Sequence, residues 1–373
     1  MSKQKKVLVV LDNLRVGGIQ RLALDEAYTL NSRGYQVKVL LLESVQELDD
    51  MREIDGEFFR TSEINVESIP GSNLRKIRTI SSIIRNEKIT KSISHSAKGV
   101  VILKISSTLA FKKIKIRAYI HQLITLSDPV QRCKRLVFFS FADELHASSR
   151  QFVLELKNYM QGRRIRQLLL RKKIGFDRMG VFVDRILAQD TDRVSENKIE
   201  KTTILFMSRV AIWKGFGKFI HVAKELGEDF DYAVITSRFY NDAFEIERLC
   251  NEVGARLVFG SNVSRVNRGT RSIHLYPADY GIEIQYPQNI GLNVLESIVL
   301  GIPSLISIEA FWSWPELSDS NLVWTTDWSD DDVKKKIRII EQIPIEDLLN
   351  EAKRVRDVIS IENHVENLIK FLE

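Results

Sequence analysis

The chain is poor in cysteine: Cys133 and Cys250 are the only two in 373 residues. They supply neither a disulfide framework nor the thiolates of a zinc cage, which suits a reducing compartment. Six histidines are scattered without the spacing of a metal-ligand set. No apolar run approaches the roughly 18 residues that would suggest a membrane span, and the apolar start of the chain, residues 7–11, is too short for a signal segment. Internal repeats and low-complexity stretches are also missing. The remaining composition, 44% hydrophobic and 28% charged, is that of a soluble globular protein. Its length suits two domains of about 150 to 200 residues each.

Charge is unevenly spread. Residues 1–185 hold 34 Lys and Arg against 19 Asp and Glu, leaving 21 against 30 in the rest. The first half is therefore the one suited to an anionic surface. Lys112, Lys113, Lys115 and Arg117 form one basic cluster. Arg163, Arg164, Arg166, Arg171, Lys172 and Lys173 form another, with three leucines at 168–170 inside it. Basic residues around an apolar patch fit an anionic leaflet, at about 1 kcal/mol per charge near the surface. The same pattern also fits a solvated helix face with the leucines in the core. No recognition motif supports nucleic acid as a partner.

Short apolar runs alternating with helical patterns predict an α/β fold on parallel sheets. In the first half, strands are expected at residues 6–11, 36–42, 64–69, 90–94, 115–120 and 145–148, with helices between them. A Gly17-Gly18 turn leads into a helix over 19–32, whose Leu22, Ala23, Ala27 and Leu30 share a face, and Gly34 stops it. The polar stretch 186–201 lacks strong periodicity and reads as a linker. Beyond it come strand 203–207, helix 216–226, strand 232–236, helix 243–253, strand 256–259 and a helical tail over 345–373. The expected domains are 1–185 and 186–356. Ligands of open parallel sheets collect at the carboxyl ends of the strands.

Residues 278–307, ADYGIEIQYPQNIGLNVLESIVLGIPSLIS, are the most informative stretch. They predict a strand at 281–286, a turn, a helix opening near Gly291 and closing at Gly301, and, past Pro303, a strand at 304–308. A helix that begins at the carboxyl end of a buried strand aims free backbone N–H groups outward, which makes an anion site. Glu296 lies about one turn into it, packed down by Leu292, Val294, Leu295 and Ile298. Its carboxylate there can accept two ribose hydroxyls. An ordinary strand–turn–helix with Glu296 on a solvated face fits the same residues.

The run from Gln288 through Asn289, Ile290, Gly291 and Leu292 to Glu296, followed by Gly301-Ile302-Pro303, resembles the nucleotide-sugar motif of family 4 glycosyltransferases, retaining enzymes of the GT-B fold. In that family a first glutamate touches the transferred sugar and a second grips the ribose. Here the second is Glu296, and Gln288 stands at the first, which keeps hydrogen bonding and removes a charge. Met207-Ser208-Arg209 with Lys214-Gly215 is similar to the family's Gly-Arg and Lys-Gly pairs, with Ser208 in the glycine place. The resemblance implies that a forked Arg209 and a point-charge Lys214 stabilise the leaving diphosphate without a metal. Taken alone, the two are also an ordinary Arg and Lys on a surface loop. Val16-Gly17-Gly18-Ile19-Gln20-Arg21 looks like the family's Gly-Gly loop, where backbone approaches donor phosphate and acceptor. His121, at the end of strand 115–120, matches a histidine that lines the transferred sugar, and fits a structural strand-end histidine equally well. Met179 to Asp184 resembles the segment closing the first domain, and Phe259-Gly260 falls where the family holds the nucleobase.

The resemblance implies two Rossmann-like domains facing a central crevice, with a last helix at about 357–373 crossing back to the first. It assigns Arg209, Lys214, His121 and Gln288 to catalysis. Donor binding falls to Gly17, Gly18, Ser208, Arg209, Lys214, Phe259, Gly260, Asn289, Ile290, Gly291, Leu292 and Glu296. The donor would be a nucleoside-diphosphate sugar, UDP favoured over GDP, with no cofactor. The acceptor would be a lipid-linked saccharide of a surface polysaccharide such as lipopolysaccharide or capsule. The expected location is cytoplasmic, peripheral on the inner face of the plasma membrane, held by Arg163, Arg164, Arg166, Arg171, Lys172 and Lys173. Retention is expected to need no enzyme nucleophile, since the departing phosphate helps to deprotonate the acceptor. Two rivals stand beside this reading: a sugar-nucleotide epimerase of the same fold, and a non-catalytic nucleotide-binding relative suggested by Gln288.

Overall fold

The computed structural model describes residues 5–14, 18–43, 64–121, 129–148, 150–160, 173–190, 201–208, 210, 214–236, 243–259, 271–277, 290–308 and 314–373. The chain forms two compact units, Met1–Met179 with Ile361–Glu373, and Gly180–Ser360.

In the first unit the described strands are β1 (Lys6–Leu11), β2 (Gln36–Leu41), β3 (Asn65–Ser68), β4 (Lys91–Ser94), β5 (Lys115–Ile120), β6 (Glu144–Ala147) and β7 (Lys173–Phe176). They form a parallel sheet in the order β3-β2-β1-β4-β5-β6-β7. Five consecutive residues of β1 are buried. An unbroken apolar run of that kind belongs to a strand covered on both faces. Val7 lies opposite Val37 on one side and Lys91 on the other. The sheet therefore grows in opposite directions from β1 and β4, which makes their shared carboxyl edge a topological switch point.

Helices α1 (Gly18–Ser32), α2 (Asn73–Glu87), α3 (Ala97–Leu109), α4 (Pro129–Phe139) and α5 (Arg150–Met160) alternate with these strands. Ser72 and Ser96 cap α2 and α3, each accepting a backbone N–H three residues on. Leu22, Ala23, Ala27 and Leu30 of α1 are all buried, as their spacing predicts.

The second unit carries β8 (Thr203–Met207), β9 (Asp231–Thr236), β10 (Arg256–Phe259), β11 (Ser272–Tyr276), β12 (Ser304–Ser307) and β13 (Val323–Thr326). Among the described residues these pair in parallel in the order β10-β9-β8-β11-β12-β13, with a second switch point between β8 and β11. Its helices are α6 (Val183–Asp190), α7 (Phe216–Leu226), α8 (Ala243–Glu252), α9 (Leu292–Val299), α10 (Asp330–Glu341) and α11 (Ile345–Ile359). Phe206 of β8 packs against Phe216 and Phe219 of α7, both ring centroids 5.5 Å away.

Several boundaries differ from expectation. The start of the supposed linker is helix α6, whose buried Ile186 belongs to the second unit, so the chain passes between units at Met179 and not at residue 185. The helical tail is two helices. α11 stays in the second unit, Ser360 is extended, and α12 (Ile361–Leu372) joins the first unit. There α12 packs on α1 and buries Ile361, Val365, Leu368, Phe371 and Leu372. Fully burying one such side chain is worth roughly 1.5–3 kcal/mol, so the segment is firmly held. The strand that pairs with β8 and β12 is β11, which the sequence reading did not anticipate. The strand expected at 281–286 lies outside the described residues.

Candidate functional site

In the second unit, residues from four segments meet at the carboxyl edge of β8 and β11. Gly215, just before α7, has φ +72°, and a Cβ there would overlap the Pro277 carbonyl that follows β11. Only glycine fits both demands. The Lys214 ammonium sits 5.9 Å from the centre of the Tyr276 ring, a cation–π contact. Gly291 leaves equally little room: an added Cβ would overlap the Asn293 side-chain oxygen and lie 2.9 Å from the Tyr276 hydroxyl. Asn293 Nδ2 in turn donates to the Met207 carbonyl at the end of β8.

The two glycines are the N-caps of α7 and α9. Neither contributes a side-chain cap, and neither first turn carries an acidic residue. Their first backbone N–H groups and the positive helix ends therefore favour an anion. Glu296, one turn into α9, is only 2% exposed. A solvated helix face is thereby excluded for it. Behind it, Ser297 Oγ donates to the Asn293 carbonyl at 2.9 Å and accepts from His274 Nδ1 at 3.0 Å, which ties α9 to β11. Burial pushes His274 down to about 3, so this imidazole is neutral. A nucleoside diphosphate matches the set: anion-seeking helix ends, one cation, an aromatic ring and a buried carboxylate able to accept hydroxyl protons.

The first unit has its own cavity, about 600 Å³, at the carboxyl ends of β1, β4 and β5. Asp12, His95, Ser96 and His121 line it together with apolar Ile77, Ile102, Ile105 and Phe138. Ser96 Oγ donates to Asp12 at 2.9 Å, and burial raises the Asp12 carboxyl above its ordinary value. Beneath the cavity lies fully buried Glu26 of α1, held by His95 at 3.0 Å and by His364 of α12 at 2.6 Å. Burial alone would raise Glu26, but the two imidazoles outweigh it and hold the carboxylate well below its ordinary range. His95 Nδ1 stands 3.1 Å from Nε2 of His121. Burial pushes His121 down to about 3.

Of the residues expected to act, Lys214 and Gly291 both approach Tyr276 in the second unit; Ser208 directly follows β8, Ile290 and Leu292 flank Gly291, Glu296 lies one turn into α9, and His121 faces the first unit's cavity. Gly18 opens α1 and Phe259 ends β10. Gly17, Arg209, Gly260, Gln288 and Asn289 lie outside the described residues, as do Arg163, Arg164, Arg166, Arg171 and Lys172, while Lys173 opens β7. Arg117 does not belong to a basic surface. It is 2% exposed and binds Glu144 at 2.7 Å and Asp177 at 3.4 Å. Sequence reasoning missed Tyr276, Pro277, Asn293, Asp12, His95 and Glu26. A glycine with no room for a Cβ is visible only in three dimensions, although Asp12 and His95 directly follow β1 and β4 and could have been found there. The sequence reading also takes no Asp-x-Asp metal motif to be evident, yet that spacing occurs at Asp229 and Asp231. It sits at the amino end of β9, away from the switch point, with Asp229 bound to Arg338 at 2.7 Å.

No protein-family model and no curated protein matches the chain. Solved structures do match, over nearly its whole length. A glycosyltransferase from Rickettsia africae is similar with a TM-score of 0.71 at 14% identity, over 99% of this chain and 98% of that one. Anabaena Alr3699/HepE, in complex with UDP-glucose, gives 0.72 at 13% identity over 98% and 99%. WaaG, a glycosyltransferase involved in lipopolysaccharide biosynthesis, gives 0.65 at 14% over 98% and 99%. At these identities the likeness establishes the fold. It is the GT-B architecture: two Rossmann-like units, with the last helix returned to the first.

Proposed function

We propose that this chain is a metal-independent, retaining glycosyltransferase of family 4. It takes a sugar from a nucleoside-diphosphate donor, UDP before GDP, and passes it to a lipid-linked saccharide at the inner face of the plasma membrane. The observation that carries this reading is the pairing of two uncapped helix N-termini with Lys214 and buried Glu296 at one switch point. Similarity to the HepE complexes with UDP and UDP-glucose favours the donor class, and similarity to WaaG favours the polysaccharide context.

In this reading the helix ends and Lys214 receive the diphosphate and stabilise the charge that develops as it leaves, with Arg209 adding a second cation. Glu296 accepts the ribose hydroxyls. His121 meets the sugar or the acceptor in the apolar-walled cavity of the first unit.

Membrane contact is supported by a face of that unit. Phe111 is 90% exposed, with exposed Leu109, Val137 and Phe141 at the ends of α3 and α4, and exposed Lys112 and Lys113 follow Phe111. Among the described residues no helix is long and apolar enough to cross a membrane.

The deciding experiment is a thermal-shift screen of UDP, GDP and their sugars, followed by product analysis. A ligand at 100 times its Kd adds about 2.7 kcal/mol. The proposal expects UDP and a UDP-sugar to stabilise the fold, and the sugar to reach an acceptor with its anomeric configuration kept. Donor converted without acceptor would identify an epimerase. Nucleotide bound with no turnover of any donor would identify a non-catalytic relative.

A further inference from the structure

We propose that the first unit's cavity, with the apolar groove that leaves it between α3 and α4, binds a single-chain lipid phosphate: one hydrocarbon chain lies along the groove, and its phosphate meets Lys98, Lys134 and Arg135. Taking this lipid as the end of the acceptor rests on the glycosyltransferase reading. The binding itself rests on the groove and its charges.

The exposed apolar side chains are concentrated in one place. Among the described residues, seven of the twelve large apolar side chains that stand exposed belong to α2, α3, α4 or the turns that end them. Leu74 lies on α2. Ile105 and Leu109 lie on α3, with Phe111 just beyond it. Val130 and Val137 lie on α4, with Phe141 just past its end. α3 and α4 pack side by side, and Ile105 and Phe138 are already part of the cavity wall. Leu109 follows Ile105 by four residues on the same helix face, and Phe141 closes the turn after Phe138, donating its N–H to that carbonyl. The apolar track therefore starts inside the cavity and runs out along α3, whose 13 residues span about 20 Å.

Phe111 is the residue that the fold alone accounts for least. Its φ is +54°, and its N–H donates to the Thr108 carbonyl while the Lys112 N–H donates to that of Ser107. That is the helix-ending position at which glycine is favoured, and an L side chain is strained there. With its ring 90% exposed, Phe111 gains almost nothing from packing in return. A ligand that covers the ring supplies the missing gain.

Charge identifies the ligand. Apart from its histidines, the cavity is lined by one carboxyl group, Asp12, and three cations, Lys98, Lys134 and Arg135. The Lys134 ammonium stands 5.7 Å from the centre of the Phe138 ring, so one of the cations already lies over the apolar track. An apolar chain ending in a phosphate matches both parts. A folded protein surface cannot follow the track into the cavity, whereas a flexible chain can. The single groove between two helices admits one such chain, and a two-tailed lipid has one too many.

The test is calorimetric titration of the full chain with farnesyl phosphate, kept below micelle formation so that no bilayer is present. One molecule should bind per chain, at least about tenfold more tightly than inorganic phosphate, farnesol or the soluble two-tailed dihexanoylphosphatidylglycerol. Lys134→Gln with Arg135→Gln should weaken farnesyl phosphate about tenfold and leave farnesol unchanged. Ile105→Gln with Leu109→Gln, both at exposed positions, should weaken the two ligands alike. Phe111→Gly should raise Tm by releasing the left-handed strain and yet weaken farnesyl phosphate, a combination that a packing role would not give. Farnesyl phosphate held no better than inorganic phosphate, or held equally by wild type and all these variants, overturns the proposal. Equal binding of the two-tailed lipid overturns it too, and would make the track a bilayer contact only. So does a lipid-free dimer that Ile105→Gln with Leu109→Gln dissolves, which would make the track an interface between copies. Farnesyl phosphate bound as expected by a protein that turns over no nucleotide-sugar would uphold the site and overturn the glycosyltransferase reading. Turnover of a nucleotide-sugar without farnesyl phosphate binding would do the reverse.

Discussion

Lys214, Gly215 and Glu296 show three ways in which a single residue commits the second unit to an anionic ligand. Gly215 combines a left-handed backbone with no space for a Cβ. Gly215→Ala should therefore cost at least about 1 kcal/mol of stability from backbone strain alone. It should also push the loop off Pro277, so UDP affinity should fall by more than the stability loss explains. Calorimetric titration of the folded variant decides this, and unchanged affinity would separate the loop from the site. Glu296→Ala should weaken UDP binding by roughly 1.5–3 kcal/mol, the value of hydrogen bonds to a charged group. A titration matching wild type would reduce Glu296 to a packing residue. Lys214→Ala should leave the fold intact and raise the barrier to transfer by about 3 kcal/mol, as removal of one preorganised contact to a developing charge does. Turnover near wild type would remove Lys214 from the chemistry.

At the scale of elements, α12 is joined to the first unit by an ion pair as well as by apolar burial. His364 reaches Glu26 across 338 residues of sequence, and the Phe371 ring takes the Arg117 guanidinium at 4.6 Å. His364 is raised above its ordinary 6.5, so its stabilisation is complete below 6.5 and fades as pH rises through its folded value. Glu26 is lowered from 4.5, so its contribution holds above 4.5 and fades as pH falls through its folded value. The pair is strongest between those two ordinary values. His121 and His274, pushed down to about 3, act in the opposite sense and weaken the fold as pH drops below 6.5. A comparison with His364→Gln cancels them. The gap in Tm between wild type and this variant should be largest near about pH 6 and shrink towards about pH 9. A gap independent of pH would mean that His364 carries no charge in the fold.

The elements legible beforehand were those whose burial is uniform. β1 is apolar and buried from Val7 to Leu11, and α7 keeps its periodicity from Phe216 to Leu226. β11 was missed because Ser272 and His274 interrupt its short apolar run, although all five of its residues are buried. Likewise the motif around Glu296 was readable from consecutive residues, whereas the Glu26–His95–His364 cluster joins residues that only the fold brings together.

On the scale of the whole molecule, the excess of positive charge in the first half becomes a matter of where it is displayed. Arg117 is withdrawn into ion pairs, while Lys112 and Lys113 remain exposed beside Phe111. Such a face should bind vesicles containing phosphatidylglycerol. Each lysine contributes about 1 kcal/mol near an anionic surface. Salt screens that attraction, the Debye length falling from about 8 Å at physiological ionic strength to about 3 Å at 1 M. An inserted Phe ring adds roughly 1.5–3 kcal/mol that salt does not screen. Lys112→Glu with Lys113→Glu should accordingly remove the salt-sensitive part of vesicle cosedimentation. Phe111→Ser should remove the part that persists at 1 M. Reversal of Arg163, Arg164, Lys172 and Lys173 serves as the competing set. Loss of binding only there would assign the membrane face to that cluster, and binding that survives both sets would take the membrane out of the proposed function.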